Sequence, residues 1–313
     1  MRVLIVCSGN RGEASPFVQE QAEQLKNQGC VVQLFLIIGK GWLGYLSNRK
    51  RLMNEIRQFN PDLIHAHSGM SVLLAALQRR IPVVATFHGS DINIPKLRRF
   101  SRLAMLLSRA HIVVSNEMKH ALKDDRVHVV PCAVDTDVFY PTDAISERKK
   151  LGWSESDAYI LFSSSLTNTV KNAPLAQEAV AVLSAANVHL VELKGKNRKE
   201  VAQLLNACDV ALMTSFTEGS PQFIKEAMAC GTPVVSTRVG DVPELSNGLN
   251  GHFLVEYNAQ SVAEGIHKAI AFRKSEKLTN GPDVIRQFGM TPGLIASRII
   301  SIYRDAVKGS SSN

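Results

Sequence analysis

Short apolar runs alternate with amphipathic stretches along nearly the whole chain. VLIVCS (3–8), VVQLFLII (31–38), DLIHAH (62–67), PVVATFHGSD (82–91), HIVVSN (111–116) and VHVVPCAVD (127–135) read as strands. Runs with so little polar alternation predict strands covered on both faces, as in parallel sheets. Between them lie helical patterns. Ser15-Pro16 opens a helix that stops at Gly29, 52–59 is broken by Pro61, 72–78 is apolar, and 97–109 is amphipathic and basic. GKGWLGYLSN, from Gly39, reads as a Gly-rich loop or lid. The rhythm then repeats with strands at 158–165, 188–193, 210–215 and 233–236, and a terminal helix over 295–306. The polar stretch 135–152, which holds Pro141, predicts a linker, and KGSSSN predicts a disordered tail. Strands alternating with helices predict two doubly wound α/β domains, residues 1–142 and 153–292, with 293–313 as a terminal helix and tail.

One segment carries candidate chemistry. TEGSPQFIKEAMACGTPVVS (217–236) sets Glu218 and Glu226 eight positions apart around a helix start. Ser220 suits the N-cap and Pro221 the first helical position. Phe223, Ile224, Ala227 and Met228 fall on one helical face, Gly231 closes the helix, and PVVS follows as a buried strand. Glu218 then lies in the loop before the helix and Glu226 inside it. The helix N-terminus between them offers N–H groups and partial positive charge. Ordinary amphipathic helices also carry acids at this spacing. Two carboxylates with a helix N-terminus between them suit a ligand with both an anionic group and hydroxyls, such as a nucleotide sugar.

The same segment resembles the E-x7-E region of retaining glycosyltransferases of the GT-B architecture, and of glycosyltransferase family 4 in particular. The resemblance spans nearly the whole chain. It implies two Rossmann-like domains facing across a cleft, an N-terminal acceptor-side domain and a C-terminal domain that binds a nucleoside diphosphate sugar. The last helix is implied to pack back toward the first domain. The second domain is short for the class.

The resemblance also implies roles for single residues. Glu226 would take the ribose hydroxyls, which suits an acceptor-only carboxylate. Glu218 would meet hydroxyls of the donor sugar, with Gly219 and Ser220 bringing backbone N–H groups close. Lys171, in TNTVKNAP, would pair with the diphosphate. The family often has Arg five residues earlier, where this chain has Leu166. Either Arg238, Lys194 or Lys196 then supplies the second cation, or nearby serines and backbone amides do, or diphosphate binding is weaker. His88, in TFHGSDIN, would face the donor sugar, by a hydrogen bond or by offering a lone pair to developing positive charge. Asp91 is expected to cap the following segment. Gly9 and Gly12 would bring the first loop to the donor or acceptor, with Arg11 a phosphate contact, and Gly240 would allow close backbone approach. No nucleophile–base arrangement stands out. In the family mechanism the diphosphate leaves, the acceptor enters from the same face, and a diphosphate oxygen takes its proton, so positioning and charge stabilisation dominate.

Composition narrows the partners. The chain of 313 residues carries a net charge of +8. Residues 1–150 hold 21 Lys and Arg against 13 Asp and Glu, whereas 151–313 hold 15 of each, so the excess is N-terminal. No nucleic-acid motif accompanies it. An anionic membrane surface or a lipid-linked glycan acceptor fits better. No signal peptide or apolar span is evident, which predicts a cytoplasmic protein, peripheral on a membrane at most. The five cysteines form no CxxC pair and read as reduced thiols. His65 and His67 share one face of a strand without a visible third ligand, and no cofactor or metal is expected. The reading is a metal-independent, retaining hexosyltransferase of surface polysaccharide or glycolipid synthesis. Two rivals remain: a nucleotide-sugar epimerase, which would need no acceptor, and a non-catalytic nucleotide-sugar-binding module, which turnover abolished by Glu226→Ala in otherwise folded protein would remove.

Overall fold

The computed structural model describes residues 1–10 and 12–308. Arg11 and the tail after Lys308 lie outside the described residues. The chain divides into two compact units: Met1–Ala133 together with the chain from Pro292 onward, and Val134–Thr291.

The first unit holds a parallel six-stranded sheet built from β1 (Arg2–Ser8), β2 (Val31–Ile37), β3 (Leu63–His67), β4 (Val83–Phe87), β5 (Ala110–Val113) and β6 (His128–Val129), in the order β2-β1-β3-β4-β5-β6. Register is continuous, with Val6 beside both Phe35 and Ala66. Alternation along β1 feeds two cores. Leu4 and Val6 face the core shared with Leu52, Ile56 and Leu73, and Val3 and Ile5 face the core shared with Val18, Ile299 and Tyr303. The terminal helix Pro292–Lys308 presents Ile295, Ile299, Ile302, Tyr303 and Ala306 at helical spacing to the second of these cores.

The second unit holds β7 (Ala158–Phe162), β8 (Val188–Glu192), β9 (Val210–Met213), β10 (Val234–Thr237) and β11 (His252–Val255), parallel and ordered β11-β10-β9-β7-β8. Tyr159 and Leu161 pack on one face with the helix Gln222–Ala229, while Ile160 and Phe162 pack on the other with the helix Ala259–Glu276.

Four local expectations change. The stretch 135–152 belongs to the second unit's fold: Phe139 is buried in its core, and Ala144–Leu151 is a helix capped by Asp143. Its Arg148 reaches Asp209 at 2.6 Å and the Ala207 carbonyl at 2.8 Å. The Gly-rich lid contains a short helix, Gly41–Leu46, with Gly39 so close to Gly44 that a Cβ there would lie 2.6 Å from its carbonyl oxygen. The long run at 127–135 pairs over two residues only, and HFLV forms an edge strand that the apolar pattern did not mark.

Candidate functional site

In a doubly wound sheet, ligands sit beyond the carboxyl ends of the strands where the strand order reverses. In the second unit that point lies between β7 and β9. The loop after β7 carries Lys171 and the loop after β9 carries Glu218. Their approach is built by short polar ties. Asn168 caps the turn Thr169–Lys171 by accepting from the Val170 N–H. Thr214, just past β9, donates its hydroxyl toward the carbonyls of Lys171 and Asn172, 2.9 Å from each, and Phe216 donates its N–H to the Val170 carbonyl. Lys171 Nζ is thereby held 2.5 Å from Glu218 Oε1, both groups half-buried.

Glu226 is buried on the helix Gln222–Ala229, and Arg198 Nη1 stands 3.7 Å from its Oε1. Arg198 also lies over the Phe139 ring, 4.9 Å from its centroid. The sequence reading missed this cation. Its only local signal is its place as the first residue of a helix opened by the Asn197–Glu200 capping box.

Ser220 does not cap the helix. Pro221 takes the cap position, with no side-chain cap. The Ser220 hydroxyl lies between the Lys225 ammonium and the Asp241 carboxylate, which are 3.4 Å apart and both buried. That buried pair attracts the hydroxyl more strongly than a neutral backbone N–H would. Gly240 has φ +57, and a Cβ on it would lie 2.6 Å from the Gly219 oxygen. Its close approach is therefore to the Glu218–Gly219 backbone. Arg238 is exposed just after β10. Lys194 is exposed, and Lys196 pairs with Glu200 at 3.3 Å. At Leu166, the Glu192 carboxylate accepts the backbone N–H at 2.8 Å, and this bond draws the Glu192 pKa down. The buried hydroxyls of Ser163 and Ser215, beyond β7 and β9, and Asp241 Oδ1 have no hydrogen-bond partner among the described residues. Buried polar atoms are normally paired, so their gathering at these strand ends suits a polar ligand.

The first unit has its own reversal, between β1 and β3. Gly9 follows β1, but its role is packing: a Cβ there would meet Leu36 Cβ at 2.6 Å. Gly12 has φ +92 and open space around it. His67 ends β3 and His88 follows β4, with His67 Nδ1 2.9 Å from His88 Nε2. Burial lowers the His88 pKa to about 4. His65 is engaged at both nitrogens, by Tyr303 Oη at 2.6 Å and Thr86 Oγ1 at 2.7 Å. Asp91 caps the preceding helix, Gly69–Ala76, rather than the segment after it. Its oxygens accept the N–H groups of Gly69 and His88. Burial raises its pKa, and those two bonds oppose the rise.

Residues 1–138 match the model of Glycosyltransferase Family 4, and residues 170–271 match that of Glycosyl transferases group 1. N-acetyl-alpha-D-glucosaminyl L-malate synthase of Bacillus anthracis is 26% identical over 303 residues, covering 82% of this chain and 78% of that protein. D-inositol 3-phosphate glycosyltransferase of Stackebrandtia nassauensis is 25% identical over 311 residues, covering 79% and 69%. Among solved structures, sucrose-phosphate synthase from Thermosynechococcus elongatus matches with a TM-score of 0.84 at 15% identity, covering 99% of this chain and 100% of that one. Anabaena HepE in complex with UDP matches at 0.77 and 18% identity, covering 97% and 100%. These structural likenesses are of fold, two parallel-sheet units of the GT-B type.

Proposed function

The chain belongs to glycosyltransferase family 4, and from that premise we propose that it transfers a sugar from a nucleoside diphosphate sugar to a hydroxyl acceptor, with retention of configuration and without a metal. The observation that carries the reading is the Lys171–Glu218 contact at the strand-order reversal of the second unit, with Glu226 on the helix that follows. Lys171 would meet the diphosphate and Glu218 the sugar hydroxyls. Glu226, braced by Arg198, would take the ribose hydroxyls. The backbone of Gly219 and Ser220 would approach the donor, since the Ser220 hydroxyl is held by Lys225 and Asp241. Arg238 is the candidate second cation, being exposed at the end of β10. Transfer breaks the bond between the anomeric carbon and the diphosphate and forms one to the acceptor oxygen, whose proton passes to the diphosphate. HepE, of the same fold, has been solved with UDP and with UDP-glucose, which supports a nucleotide-sugar donor here.

Nucleotide binding tests this first. One of UDP, GDP, ADP or dTDP, at about 100 times its dissociation constant, should stabilise the protein by roughly 2.7 kcal/mol, with EDTA or Mg²⁺ making no difference. Glu226→Gln should abolish the shift while leaving the protein folded. No shift with any nucleotide would favour a non-catalytic module, and a shift that requires Mg²⁺ would overturn the metal-free mechanism.

The acceptor is proposed to be a glycan precursor on an anionic membrane surface. The helix Pro95–Leu107 exposes Phe100, Leu103 and Leu106 (42, 48 and 81% exposed) beside the exposed Arg99 and Arg102. Apolar side chains flanked by cations suit a headgroup interface. No helix among the described residues is long and apolar enough to cross a membrane. Replacing Arg99 and Arg102 with Gln and Leu106 with Ser should reduce sedimentation with anionic vesicles at least tenfold. Undiminished binding would remove this surface from the reading.

A further inference from the structure

His67 and His88 stand at the ends of neighbouring strands, and the contact between them has one proton to share. His67 is only 3% exposed. Its Nδ1 lies 2.9 Å from His88 Nε2, and the two ring planes lie within 11° of each other with centroids 5.2 Å apart. Phe17 packs against the His88 ring, with centroids 4.6 Å apart. Burial lowers His67 well below the usual imidazole range and His88 to about 4, so both rings are neutral at pH 7. Between two neutral imidazoles one nitrogen donates and the other accepts.

What is left over decides which. Were His88 the donor from Nε2, His67 would accept at Nδ1 and carry its own proton on Nε2. That atom is buried and has no partner among the described residues. A buried N–H without an acceptor is rarer in native structures than a buried acceptor without a donor. The lower-energy arrangement protonates His67 on Nδ1, which donates to His88 Nε2. His88 then keeps its proton on Nδ1, the ring nitrogen that the contact with His67 does not use.

We propose that His67 is a positioning residue that fixes His88 as the Nδ1–H tautomer, so that the free nitrogen of His88 is a hydrogen-bond donor. This rests on the reading of His88 as a donor-sugar contact, and it deepens that reading. A donor N–H binds an oxygen, that of a sugar hydroxyl or a phosphate. The one ring lone pair of His88 is taken up by His67, so none is offered to developing positive charge on the sugar, which removes one of the two roles open to His88 from sequence.

Nitrogen-15 NMR of the full-length, histidine-labelled protein at pH 7 without substrate tests the tautomer directly. His88 is assigned by the signals lost in His88→Gln. Its Nδ1 should give a protonated, pyrrole-type shift and its Nε2 an unprotonated, pyridine-type shift. The reverse pattern overturns the proposal. His67→Leu should turn His88 into a tautomer mixture and lower kcat roughly ten- to hundredfold with little change in donor KM. His67→Asn, whose amide can donate from near the Nδ1 position, should restore both. A His67→Leu protein with the His88 tautomer and kcat unchanged would also overturn it. Should His67→Leu fail to fold, the wild-type spectrum still decides. The spectrum needs neither donor nor acceptor, so it can succeed in a protein that transfers no sugar and fail in one that does.

Discussion

Gly240 shows how a close approach within the protein escapes a reading of local sequence. Its sequence context, VGDVPE, suggests a backbone that something approaches closely, and the donor was the expected neighbour. The neighbour is the Glu218–Gly219 backbone, with the two loops pressed together. Gly248 supplies a control, since its φ of +81 is also left-handed but nothing lies within 4 Å of its added Cβ. Alanine at 248 meets only the left-handed penalty, about 1–2 kcal/mol. At 240 it meets that penalty and a 2.6 Å contact with backbone, and a cost of about 3–4 kcal/mol is expected. Urea unfolding of the two variants should separate them by at least about 1 kcal/mol. Equal midpoints would mean that the loops yield, and that Gly240 does not brace Glu218. Lys171 and Glu218 were both legible as single residues, because each sits in a recognisable string after an apolar run. That Lys171 would touch Glu218 was not, because the ties that join their loops, from Thr214 and Phe216, are tertiary.

At the scale of elements, the helix Gln222–Ala229 was legible through its apolar face, yet that pattern does not reveal the fate of one charge. Lys225 falls among Phe223, Ile224 and Met228, and a lysine in such a run is ordinarily assigned to the solvent side. It is 0% exposed and pairs with Asp241 from beyond the next strand. No local signal links two residues so far apart in sequence. Removing one partner of a buried pair strands the other charge, so Lys225→Met should cost about 3–5 kcal/mol. Adding Asp241→Leu should recover much of that loss, because an apolar pair of similar volume replaces the ionic one. A double-mutant cycle in denaturant measures this, and strictly additive losses would show that the two side chains are not coupled. The same limit hid β11 and the helix Ala144–Leu151. HFLV is too short for a period to declare itself, and the polar surface of 144–151 conceals an Arg148 whose partners lie at 207 and 209. Long, buried strands were read well because both their faces are covered and almost every residue is apolar.

At the scale of the molecule, the two units differ in how they hold imidazoles, and that difference predicts their response to acid. The first unit buries His65, His67 and His88 together, with Tyr303 of the terminal helix closing on His65. Burial lowers His65 to about 3 and His88 to about 4, and His67 well below its usual value. In the second unit His252 is lowered to about 4 by the same cause. Each of these rings binds its proton less readily folded than unfolded, where the pKa is about 6.5. Acidification below about 6.5 therefore protonates the unfolded chain first and draws the equilibrium toward it. The stability at stake is full above about 6.5 and is lost as pH falls toward about 4. Each such histidine contributes a slope of about 1.4 kcal/mol per pH unit in that window. His65, His67 and His88 together give about 4 kcal/mol per pH unit, to which His111, also lowered by burial, adds, against about 1.4 from His252 in the second. The depressed carboxylates of the second unit, Asp143, Asp157, Glu192 and Glu200, lose their stabilisation only at lower pH, below their unfolded values of about 4. Between about pH 6.5 and 5, hydrogen exchange should show protection falling first and most steeply in β1, β3, β4 and the terminal helix, with β7, β9 and β10 following. His65→Gln should remove about 1.4 kcal/mol per pH unit of the first unit's slope. Loss of protection in the second unit first would mean that acid acts through groups other than the buried imidazoles.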